Sequence, residues 1–159
     1  MIRPFLFSLF LATPAMAQDD TPTGQVLEGL VACYSGAGDP VTTVALLEEF
    51  TWAQSDGEDG TIYMYPTAGE GESTFVYLAD DGSYCHTESL AVDSASASEI
   101  LGTMLSSAEV TDIAYNKTDD GCTQLGLPGG TTVTITSGGN DPMCGSETDS
   151  GIRFEFTTQ

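Results

Sequence analysis

The spacing of apolar and polar residues changes period along this chain. From Gly24 to Gly36, Val26, Leu27, Leu30, Val31 and Tyr34 recur three and four positions apart, which is the spacing of one helical face. Gly36 fits the end of that helix, with Cys33 in its last turn. The next stretch repeats the period. Asp39 stands as N-cap and Pro40 at the first helical position, with Val44 and Leu47 as the inner face and Val41 beside them. Trp52 falls just after this second helix, where a lone indole is expected to fill the core rather than bind a ligand.

After the loop Ser55–Gly60 the period becomes two. "TIYMYP" and "STFVYLA" read as strands separated by the turn "TAGEGE", and the turn "DDG" leads into a third, "SYCHTESLAV". Ser96 and Glu99, three apart, form a capping box for a helix whose stripe is Ile100, Leu101, Met104 and Leu105. Strand and turn follow: "VTDIAYN", "CTQLGL", the β-branched run "TTVTITS", and "GIRFEFT", which puts Ile152, Phe154 and Phe156 inward against Arg153 and Glu155. The predicted class is α+β: an N-terminal helical pair and one central helix packed on an antiparallel sheet of about six or seven strands. A faint internal repeat is visible in "DDGSYCHTES" and "GNDPMCGSET", each with a Glu (Glu88, Glu147) three positions after a cysteine. Two short matches do not establish a duplication.

The first residues set the compartment. Arg3, the apolar run Pro4–Leu11 and the small residues Ala15 and Ala17 have the form of a secretory signal peptide over residues 1–17. The apolar run is shorter than the roughly 20 residues of a membrane-spanning helix. The expected mature chain starts at Gln18, has a frayed segment 18–23, and folds as a single domain over 24–159. Export, periplasmic or secreted, gives the four cysteines Cys33, Cys85, Cys122 and Cys144 a structural role as two disulfides. Four cysteines allow three connectivities, and the sequence does not choose among them. Pairing neighbours without crossing gives Cys33–Cys85 and Cys122–Cys144, the arrangement expected here.

Charge then narrows the partners. With Arg3 removed, Lys117 and Arg153 stand against 24 Asp and Glu, a mature charge of −22. Such a surface repels phosphate backbones and anionic lipid, which disfavours nucleic acid and membrane surfaces. It favours solubility first, and as partners a basic protein or weakly held divalent cations.

No chemistry-bearing motif stands out. His86 is the only histidine and follows Cys85 directly. Adjacent strand positions point to opposite faces, so a cysteine turned inward to a disulfide leaves His86 outward, as a solvent-facing bystander. The gaps between successive cysteines, 52, 37 and 22 residues, are not those of a zinc site. There is no G-x-S-x-G, no phosphate-binding lysine loop and no G-x-G-x-x-G after a strand, so no cofactor is expected. Asp and Asn beside Gly in "SDGEDG", "ADDGS", "KTDDG" and "GGNDPM" can offer oxygen ligands to calcium, and are equally ordinary turn chemistry. Asn116-Lys117-Thr118 fits a glycosylation sequon, at odds with the bacterial look of the leader. The sequence therefore favours a small, acidic, disulfide-stapled and non-catalytic binding or accessory protein. A small enzyme using His86 or a carboxylate pair, and a calcium-stabilised structural domain, are the alternatives.

Overall fold

The structure is a computed structural model, and it describes residues 20–57, 60–68, 73–139 and 142–157. The leader, the junction at Gln18 and parts of two acidic turns (Glu58 and Asp59; Asn140 and Asp141) lie outside the described residues.

Helix α1 spans Pro22–Gly36. It starts earlier than the apolar pattern suggests, because the Thr21 hydroxyl accepts the Gly24 N–H at 3.1 Å and Pro22 occupies the first turn. Helix α2, Pro40–Glu49, begins as expected at Asp39, whose carboxylate accepts the Val41 N–H at 3.1 Å. Its inner face differs from expectation. Leu47 is fully buried, but Val41 is 76% exposed and Thr43 takes the inward position, its hydroxyl donating to the Asp39 carbonyl at 3.0 Å.

Strands β1 (Trp52–Asp56), β2 (Thr61–Pro66), β3 (Thr74–Ala79) and β4 (Tyr84–Ser89) form a meander. Helix α3 (Ser94–Ser107) then leads to a second meander of β5 (Ala114–Lys117), β6 (Thr123–Gly126), β7 (Thr132–Thr136) and β8 (Ser150–Glu155). The α3 cap is Asp93, not Ser96. Its carboxylate accepts both the backbone N–H of Ser96, at 2.9 Å, and the Ser96 hydroxyl, at 2.7 Å, so Ser96 lies inside the helix. An Asp three residues before a Ser competes for the same backbone donors and holds them as an anion.

The fold class is α+β as predicted, with three helices and one antiparallel sheet of eight strands among the described residues, not six or seven. The added strand is β1. "WAQSD" has no alternating apolar pattern, and it is a strand because β2 pairs with it from Trp52–Pro66 to Asp56–Ile62. The strand order β1-β2-β3-β4-β8-β7-β6-β5 is symmetrical about the β4–β8 pair. The first half is therefore a pair of helices followed by a four-stranded meander, and the second a single helix followed by another. The cysteines that hinted at a repeat are not equivalent within this layout: Cys85 lies in β4, whereas Cys144 lies in the connection between β7 and β8.

The helices cover one face of the sheet. Helix α1 packs on β3, β4 and β8, α3 on β7 and β8, and α2 on α1 and β1. Between the layers lie Leu30, Leu47, Leu101, Leu105, Met64, Val76, Leu78, Val133, Ile152 and Phe154, all essentially without solvent contact. Trp52 belongs to this core, as a lone indole was expected to. Gly29 allows α1 its close approach, since a β-carbon there would stand 2.8 Å from the Thr87 methyl on β4. Both disulfides have the non-crossing pairing. Cys33–Cys85 ties α1 to β4 inside the core, and Cys122–Cys144 ties the start of β6 to the β7–β8 connection. Two disulfides place the folded chain in an oxidising, non-cytoplasmic compartment. No helix among the described residues is long and apolar enough to cross a membrane.

Candidate functional site

Among the described residues no helix lies over the second face of the sheet, and the strand period puts a defined set of side chains there. Register links Ser55, Tyr63, Tyr77, His86, Arg153, Thr134, Gln124 and Asn116 in one cross-strand row through all eight strands. Tyr65, Phe75, Tyr84 and Glu88 flank it, two residues along their strands from members of the row. Strands β2 and β3 are thus apolar or aromatic on both faces, Met64 and Val76 inward and Tyr63 and Tyr77 outward.

Four of these rings form one cluster. Tyr63 has its centroid 5.1 Å from Tyr77, 5.5 Å from Phe75 and 6.0 Å from Tyr65. Tyr77 meets the His86 ring edge-on at 6.1 Å. The Arg153 guanidinium lies 4.3 Å from the Tyr84 ring centre, and its Nε is 3.2 Å from a Glu155 carboxylate oxygen. A cation over an aromatic face, held by a carboxylate, is already present on this surface.

The centre of the face is a cleft of 560 Å³ bounded by Thr61, Tyr77, Tyr84, His86, Glu88 and Arg153, with Gly139 and Pro142 at its margin. One Glu88 carboxylate oxygen accepts the Gly139 N–H at 3.0 Å. Burial, reinforced by the anionic Glu88, pushes the Tyr77 phenol up from its ordinary range. A depression of 680 Å³ beside the second disulfide is larger, but it is lined mainly by small side chains and hydroxyls and has no aromatic cluster.

His86 occupies the sheet face opposite Cys85, as strand alternation requires, and it is not the solvent-facing bystander expected. It is partly buried, and its Nε2 is sealed from solvent with no hydrogen-bond partner among the described residues. The ring rests over Gly151, where a β-carbon would stand 2.8 Å from Nε2 and 2.8 Å from the Ser137 carbonyl oxygen. Burial, with the Arg153 charge beside it, lowers its pKa to about 4. The imidazole is therefore neutral at physiological pH. The outward face of a strand is wet only when nothing lies across it, and here Tyr77 and the β7–β8 connection do.

The other candidate groups are not brought to this cleft. Cys33, Cys85, Cys122 and Cys144 are all half-cystines, so none offers a thiolate. Among the described residues no group of three His, Cys, Asp or Glu side chains could hold a metal ion. The carboxylate of Asp81, in one of the suspected calcium turns, accepts the Ser83 N–H at 2.9 Å, which is local turn chemistry. What the sequence reading missed is the aromatic face. Its signal was present in Tyr63/Tyr65 and Phe75/Tyr77, aromatic pairs two apart on successive strands that already had an apolar inner face.

No protein-family model, no curated protein and no solved structure matches the chain.

Proposed function

We propose that this is a non-catalytic recognition domain of the periplasm or the secreted fraction, exported by its leader and trimmed to Gln18, whose uncovered sheet face meets a basic protein. The observation behind the reading is the aromatic row on a face without helices. Burying Tyr63, Tyr65, Tyr77 and Tyr84 against a partner supplies contact area at small conformational cost. The charge of −22 on the mature chain selects the partner's sign and steers its approach. A binding role suits the chemistry of the face better than catalysis. Among the described residues nothing orients the single imidazole through Nε2, and the neighbouring sulfur is oxidised.

The test is binding of the intact exported protein to a panel of basic proteins at low salt, repeated with Tyr63→Ala and Tyr65→Ala. A complex that weakens with salt and with either substitution supports the reading. No complex at low salt, or one indifferent to both substitutions, removes it. The intact mass after alkylation without reduction reads the rest: a chain starting at Gln18 with no added alkyl groups is expected.

A further inference from the structure

We propose that the cleft between Tyr77 and Glu88 is the seat of one guanidinium side chain, an arginine presented by the partner. This deepens the recognition reading and rests on it for the source of the arginine. The face already contains the model for such a seat. Arg153 of this chain lies over Tyr84 and pairs with Glu155, a Tyr–Glu couple that holds a guanidinium at 4.3 Å and 3.2 Å respectively. Tyr77 on β3 and Glu88 on β4 bring a phenol and a carboxylate together again, as diagonal rather than directly opposed neighbours, and both line the 560 Å³ cleft.

Each neighbouring charge is compatible with an incoming cation. Glu88 commits one oxygen to the Gly139 N–H, leaving the other to receive a donor. Arg153, which also lines the cleft, is paired with Glu155, and that pairing weakens its repulsion of a second cation. His86, forming the floor beside Tyr77, is uncharged at neutral pH and adds no repulsion. Thr61 and Tyr84 supply hydroxyl oxygens at the rim, 3.3 Å from each other. A planar guanidinium presents five N–H donors and stacks on aromatic faces, which suits a carboxylate beside a phenol ring better than a compact ammonium does.

The experiment is an NMR titration of the full mature protein with N-acetyl-arginine amide, following the ring signals of Tyr77 and His86. N-acetyl-citrulline amide, the neutral isostere, is the comparison. The expected result is saturable shifts at both rings with the arginine probe and none with citrulline. Glu88→Gln and Tyr77→Leu should each weaken binding by about fivefold, the size of one exposed charge-pair or cation–π contact. Glu99→Gln, an exposed acid on α3 away from the cleft, should leave it unchanged. Equal shifts from citrulline, or arginine binding unaffected by Glu88→Gln, would overturn the seat. Basic proteins that bind the sheet face while Glu88→Gln changes nothing would also overturn it and leave the recognition reading standing. Arginine binding in the cleft without any protein complex would uphold the seat and remove that reading.

Discussion

Trp52 donates its indole N–H to the carboxylate of Glu28 at 2.8 Å, joining the start of β1 to the middle of α1 where both residues are buried. A carboxylate inside the core is costly unless it is hydrogen-bonded, and this bond offsets part of that cost.

Glu28→Ala should therefore destabilise the protein by about 1–3 kcal/mol, because the indole N–H loses its acceptor in a dry site. Glu28→Leu combined with Trp52→Phe should cost less than the sum of the two single changes, since both polar partners then disappear together. Urea unfolding of the four proteins measures the difference, and strict additivity would show that the bond is not the coupling element.

Gly151→Ala should lower the melting temperature. The added methyl meets the His86 ring and the Ser137 carbonyl, each at 2.8 Å, and overpacking of this kind costs about 1–3 kcal/mol. Adding His86→Ala should recover only part of the loss, because the carbonyl stays in place. Full recovery would mean that the ring alone sets the need for glycine.

His86 makes stability depend on pH in a predictable direction. The unfolded chain binds its proton at the ordinary histidine value of 6.5 and the folded chain at about 4. Between those values the unfolded state holds more protons, so the folded state loses ground as the pH falls. Relative to His86→Gln, the native protein should lose on the order of 3 kcal/mol across that window. Comparing the two removes the carboxylates that titrate in the same range. A histidine titration by NMR with a midpoint near 6.5 would contradict the buried setting.

The disulfides should differ in weight. Cys33–Cys85 closes 52 residues and Cys122–Cys144 closes 22. The chain-entropy relation then gives about 4 and about 3 kcal/mol respectively. Cys33→Ala with Cys85→Ala also leaves a gap in the core, so that pair should lower the unfolding midpoint more than Cys122→Ser with Cys144→Ser. The reverse order in denaturant melts would show that the surface bridge closes the costlier loop.

The legible parts of the fold were those with a strong local signal. The helical stripe around Leu30, the Asp39–Pro40 start of α2 and the alternation in β8 all repeat a period that only one secondary structure satisfies. The disulfide pairing agrees with the non-crossing expectation, though the sequence left three connectivities open. Strand β1 was not legible, because its strandness comes from the β2 backbone rather than from Ala53, Gln54 and Ser55 themselves. The start of α3 went to Ser96 because a capping box is a two-residue pattern, while the Asp93 cap is decided by geometry. The candidate site was legible only in part: alternation put His86 on the face opposite Cys85, but nothing local says that Tyr77 joins it there or whether that face is open water or a crowded ring cluster. That depends on pairing between strands far apart in the chain, as for His86 with Arg153, 67 residues on.

The symmetry of the sheet also divides its covalent cross-links. One bridge lies wholly before Leu90 and the other wholly after Asp93, so no sulfur–sulfur bond spans the central β4–β8 seam. Only the short peptide linker around Ala91 and Val92 keeps the halves on one chain. A protease nick there would leave two oxidised fragments held by the β4–β8 ladder, by α1 packed on α3 and β8, and by contacts such as Glu88 with Gly139 and Arg153 with Tyr84. Such a molecule is a natural candidate for fragment complementation, reassembling from two separately made pieces.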